Sequence, residues 1–108
     1  MKLRPFGNTG MQVSEIGLGA WQLANPDWNL DDRNEALEIV RKSLEAGCNF
    51  FDTAPGYGYG RSEEILGEAL KGVRKDIIIC SKFSHHSADG MRDFKAENVR
   101  PVLEGSLH

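Results

Sequence analysis

Three times along this chain a short apolar run ends in glycine or a polar residue and gives way to a stretch of helical spacing, and this alternation constrains the fold most. The sharpest run is Asp76-Ile77-Ile78-Ile79-Cys80-Ser81. It is dense in β-branched residues and lacks polar alternation, as expected of a parallel strand buried on both faces. Cys48-Asn49-Phe50-Phe51, closed by Asp52 and a Gly/Pro loop, reads as a second strand, and Glu15 to Trp21 holds a brief third one ending in glycines. Ala36, Ile39, Val40, Ser43, Leu44 and Gly47 recur at helical spacing behind Asp31 or Asp32 as a cap, which predicts a helix over about 32–46. Ser62 is placed to cap a second helix, with Ile65, Leu66, Ala69 and Leu70 on one face and Gly72 as its stop. A third pattern, Val99, Val102, Leu103 and Leu107, follows a polar loop over 83–94, and Pro101 suits it only in the first turn. Successive strand-helix units imply parallel strands with helical crossovers, in a barrel or a doubly wound sheet. Residues 2–13, centred on Gly7-Asn8-Thr9-Gly10, read as a small β-hairpin ahead of the β/α units over 14–108. The polar stretch 24–31, with Pro26, is expected to be a loop.

Composition narrows the function classes. An apolar fraction of 40% over 108 residues is enough for a packed core. The net charge of -3 arises from interspersed acids and bases, so there is no footprint for nucleic acid or an anionic membrane. Gly7 to Gly10 interrupt the basic start before a signal peptide can form, and no segment has the apolar length of a membrane span. Cys48 and Cys80 each sit in an apolar run without metal-ligand spacing, so both are expected to fill core volume, in a reducing, cytoplasmic setting.

Each strand finishes in something unusual: Gly17-Leu18-Gly19-Ala20-Trp21, then Asp52, then Lys82. In a barrel, sites are assembled at the C-terminal ends of the strands, so a carboxylate and an ammonium would converge there. Each ends an apolar run, and a partly desolvated charge calls for a partner of opposite sign. Tyr57 lies five residues beyond Asp52, in a loop that Gly56 and Gly58 allow to bend sharply. A phenol titrates near about 10, and an adjacent ammonium favours phenolate, so Lys82 is placed to tune Tyr57 for acid work while Asp52 holds Lys82. Such a triad can supply a proton to a carbonyl oxygen but not a hydride to its carbon, which requires a cofactor.

Taken singly, a strand-end Asp is more often a cap, a loop Tyr packing, and a Lys a snorkelling surface residue. Their arrival together reverses that reading. Gly17-Leu18-Gly19 is no dinucleotide fingerprint, since Gln22 occupies the last position and no helix follows at once. His85-His86 with Asp89 lack a spaced partner set, so no metal site is expected and a solvated loop is. Trp21 suits a pocket wall or core. By strand parity, Cys48 and Phe50 share the side of Asp52, and Cys80 that of Lys82, inside the barrel.

The hairpin followed by VSEIGLGAW, FFDTAPGYGYGRSEEILGEAL and IIICSKF resembles, in order and spacing, the opening of the aldo-keto reductase family. The resemblance implies an α/β fold, a (β/α)₈ TIM barrel of which residues 1–108 hold the hairpin and about the first three β/α units of one domain. It implies an NADPH-dependent oxidoreductase, with NADH as the alternative donor, that reduces aldehydes or ketones. Asp52, Tyr57 and Lys82 match three members of the family's catalytic tetrad, with Tyr57 as general acid. Gly19, Ala20 and Trp21, with Asp52, match the border of nicotinamide and substrate. The tetrad's histidine belongs to the next strand, and His85, His86 and His108 do not match it. The chain alone is therefore expected to be incomplete and inactive. Its alternatives are a non-catalytic fragment or assembly module of the same family, and an unrelated barrel using Lys82 for imine chemistry. Two open sheet edges and one uncovered face predict that this chain alone is either self-associated or poorly stable.

Overall fold

The computed structural model describes residues 1–24, 32–83, 85–86 and 92–107. The expected loop through Pro26 and Asp31, together with Asp89 and His108, lies outside them. The chain opens on an antiparallel hairpin of β1 (Leu3–Pro5) and β2 (Gln12–Ser14), with Leu3 opposite Ser14. Gly7 and Gly10 take left-handed φ values of 56° and 79° at its turn, a region open to glycine without a steric penalty.

Three parallel strands follow in the order β3 (Leu18–Gly19), β4 (Phe50–Asp52) and β5 (Ile78–Cys80). They are linked by α1 (Arg33–Glu45) and α2 (Arg61–Ala69). Asp32 caps α1 by accepting from the Asn34 N–H at 2.8 Å, as its position predicts. Register sets the faces. Leu18, Phe51 and Ile79 lie in one row across the strands, and all three pack with the helices. Phe51, Val40, Ile65, Leu66 and Leu70 are fully buried there, each worth about 1.5–3 kcal/mol of transfer free energy.

The next row, Gly19, Asp52 and Cys80, faces the other way. This corrects two expectations. Cys80 is exposed, and β5 is covered on its helix side alone, because no described element packs over that row. Cys48 is buried, but among the helix-facing residues: it precedes the extended segment that begins at Phe50, so strand parity does not reach it. On the lower part of the open face, Phe6 of the hairpin turn meets Phe50 at 5.9 Å between ring centroids. The Ser14 N–H donates to Asn49 Oδ1 at 2.7 Å and the Asn49 N–H to Ser14 Oγ at 3.1 Å, which ties the hairpin to the start of β4.

Within the expected loop over 83–94, His85–His86 (β6) and Arg92–Asp93 (β7) pair antiparallel. Neither pair carries the apolar alternation by which a strand is recognised. The chain continues into α3 (Val99–Leu107), with Pro101 in its first turn, where its missing N–H costs no hydrogen bond. No helix among the described residues is long and apolar enough to cross a membrane.

Candidate active site

The ends of β3, β4 and β5 are drawn level by bonds that extend the ladder past the strands. The Ala20 N–H donates to the Asp52 carbonyl and the Thr53 N–H to the Cys80 carbonyl, each at 2.8 Å. Asp52 therefore stands on the open row with Lys82 two residues beyond its register partner Cys80. The Lys82 ammonium donates to Asp52 Oδ1 at 2.6 Å and to the Thr53 carbonyl at 3.0 Å. It also lies 4.9 Å from the centre of the Tyr57 ring.

Tyr57 reaches this point because the loop after β4 turns tightly. Its N–H donates to the Ala54 carbonyl at 3.1 Å, and its own carbonyl accepts from Ser62 at 3.2 Å. Gly58 has φ of 60°, and a Cβ there would fall 2.6 Å from the Ala24 Cβ and 2.7 Å from its carbonyl oxygen. Only glycine fits this close approach. The structure thus brings Asp52, Tyr57 and Lys82 together.

Desolvation, the largest influence on Lys82, disfavours its charge, but hydrogen bonds to Asp52 and Tyr57 and their electrostatic attraction outweigh it. They hold the group above the ordinary lysine value of 10.5. An amine nucleophile needs the opposite shift, so imine chemistry at Lys82 is disfavoured. The pair is half-exposed, at 45% for each side chain, so solvent reaches the charges from the open face.

The residues expected to border a cofactor divide. Gly19 and Trp21 are exposed, and nothing lies within 4 Å of where a Gly19 Cβ would stand. Ala20 is fully buried in the core, its N–H bonded to Asp52 and its carbonyl accepting from Ser62 Oγ at 2.8 Å. Alternation along the strand end turns the Ala20 side chain into the helix layer, and both its backbone groups are engaged. Ser62 is a correction. It does not cap α2, which begins after Gly60 without a side-chain cap. It lies one residue inside the helix, and its buried hydroxyl bonds Ala20 and, at 2.9 Å, Thr53 Oγ1.

The model of the Aldo/keto reductase family matches residues 15–108, nearly the whole chain. The chain belongs to that family. Its structural neighbours are the (β/α)₈ barrels of the aldo-keto reductases, of which this α/β chain covers a fragment, and the chain spans about a quarter to a third of the length of the curated relatives it matches. An aldo-keto reductase from Bacillus halodurans, solved in its holo form, superposes with a TM-score of 0.83 at 32% identity, over 99% of this chain and 35% of that one. An aldo-keto reductase from Klebsiella pneumoniae, solved with NADP and acetate, matches with a TM-score of 0.67 at 28% identity, over 89% of this chain and 31% of that one. The NADH-specific methylglyoxal reductase of Escherichia coli is 40% identical over 73% of this chain and 25% of its own length.

Proposed function

We propose that residues 1–108 form the first part of a barrel that reduces aldehydes or ketones to alcohols, with Tyr57 as proton donor. The observation that carries this reading is the Lys82 ammonium, 2.6 Å from Asp52 and 4.9 Å from the Tyr57 ring, at the ends of parallel strands. The Tyr57 hydroxyl gives its proton to the carbonyl oxygen as that oxygen gains negative charge. Lys82 stays positive beside it and lowers the cost of the phenolate left behind, and Asp52 and the Thr53 carbonyl hold the ammonium in place.

Nicotinamide, when bound, supplies the hydride. The open space over Gly19, beside the half-exposed Asp52 and the exposed Trp21, fits the flat edge of such a ring. Gly19, Trp21 and Asp52 would border it. NADPH is the donor we assign, supported by the NADP complex of the Klebsiella relative, and the NADH-specific relative makes NADH the alternative to measure. A small carbonyl compound is the partner, and the unbridged Cys48 and Cys80 support a reducing cytoplasm. We assign the activity to a barrel that also supplies the tetrad histidine, and none to these residues alone.

The test is titration of NADPH, and separately NADH, into this chain while its intrinsic tryptophan fluorescence is followed, in parallel with the same residues joined to the remaining strands of a full-length relative. Binding and carbonyl reduction by the joined chain alone are expected. Tight binding by residues 1–108 alone would overturn this placement of the cofactor site, and a folded joined chain that reduces no carbonyl would sink the reductase reading.

A further inference from the structure

The first turn of α2 places two polar side chains against the strand ends. Ser62 is fully buried, with its hydroxyl 2.8 Å from the Ala20 carbonyl and 2.9 Å from the hydroxyl of Thr53, itself buried. One hydroxyl thus joins the ends of β3 and β4. The Glu63 carboxylate accepts from Ser81 Oγ at 2.8 Å, immediately after β5. Neither group caps the helix. A buried hydroxyl is costly unless it is bonded, and this one is bonded on both sides.

Each strand end held in this way carries part of the site. Ala20 lies between Gly19 and Trp21. Thr53 follows Asp52, and its carbonyl accepts from Lys82. Ser81 precedes Lys82. The bonds extending the backbone ladder are those of Ala20 to Asp52 and Thr53 to Cys80, and Ser81 and Lys82 lie beyond the second of them. Past that point the bonds of this segment to the rest of the site include those of Ser81 Oγ to Glu63 and of the Lys82 ammonium to Asp52 and the Thr53 carbonyl.

We infer that Ser62 and Glu63 are positioning residues, a clamp at the start of α2 that holds three strand ends at one spacing, so that Lys82 meets Asp52 and Tyr57 in a fixed geometry. The functional weight of the clamp rests on the reductase reading, but the geometry exists without any reaction.

The experiment follows Lys82 in this chain by NMR titration of ¹³C-labelled lysine, with circular dichroism and core methyl signals as the control for folding. Lys82 is held above 10.5, against desolvation, by its contacts with Asp52 and Tyr57, so loss of geometry lowers its midpoint. Thr53→Val and Glu63→Ala are each expected to shift the midpoint down toward 10.5. Thr53→Ser and Glu63→Gln, which keep the hydroxyl and the acceptor oxygen, are expected to retain the wild-type midpoint. Ser62→Ala is expected to shift it furthest, and if that variant does not fold, the two pairs decide. Equal midpoints in every folded variant would overturn the clamp. So would a shift in Glu63→Gln as large as that in Glu63→Ala, because charge alone would then account for it. No readout here requires catalysis, so the clamp and the reductase reading can fail separately.

Discussion

Tyr57 holds its place through its backbone, bonded to Ala54 and Ser62, and this separates its chemistry from its structural role. Tyr57→Phe keeps the ring and those backbone bonds and removes the hydroxyl, and with it the transferable proton and the hydrogen bond to Lys82. In the joined barrel, kcat for carbonyl reduction is expected to fall by about 10²- to 10⁴-fold, the usual contribution of a positioned general acid, with cofactor affinity unchanged. Steady-state kinetics together with the NADPH titration check both halves, and a variant that keeps its kcat would remove Tyr57 from the role. Asp52, Tyr57 and Lys82 are legible in the sequence because two of them close apolar runs and the third follows in a glycine loop, and parallel strands bring such ends together. Ser62 is not legible in the same way. A serine near a helix start has a local role available to it, and its actual partner, Ala20, lies 42 residues away in sequence. The burial of Ala20 depends on where the two-residue strand Leu18–Gly19 begins, which two glycines around one leucine leave open.

At the scale of elements, agreement is closest where a periodic pattern has a chemical boundary. The expected 32–46 helix is observed as Arg33–Glu45, because Asp32 supplies the cap and Gly47, at φ 91°, ends the turn beyond it. Asp32→Ala is expected to cost about 0.5–2 kcal/mol, the usual value of such a cap. Urea unfolding followed by circular dichroism measures it, and an unchanged midpoint would show that packing of Ala36, Leu37 and Val40 alone fixes the start of α1. The second helix is placed correctly but for the wrong local reason: its start is set by the turn through Gly58, Tyr59 and Gly60, all at positive φ. The short pairing of His85–His86 with Arg92–Asp93 joins two-residue strands of polar residues, which leave no periodic trace.

For the whole molecule, the decisive quantity is how much surface stays in water. A compact monomer of 12.0 kDa is expected to expose about 6000 Å². This chain exposes 7516 Å², and its radius of gyration of 14.8 Å exceeds the roughly 13 Å expected at this length. The excess, about 1500 Å², is larger than the roughly 800 Å² that each partner buries in a standard interface. Several features of the described residues contribute to it. β3 and β5 each pair on one side only among the described strands, the row of Gly19, Asp52 and Cys80 is open, and Val99, Leu103 and Leu107 of α3 are 44%, 56% and 72% exposed. Beside α3 runs a cavity of about 430 Å³ whose lining includes Leu66, Leu70, Ile79, Leu103 and Leu107. Unpaired parallel edges next to apolar grooves are templates for another strand and helix. We therefore propose that residues 1–108 self-associate through these edges, with a mass that rises with concentration in light scattering. Adding the remaining strands covers the same surface, so the joined barrel should show no such rise from the β5 edge. A 108-residue chain that stays monomeric across concentrations, with a radius of gyration near 13 Å, would mean that it closes its own edges.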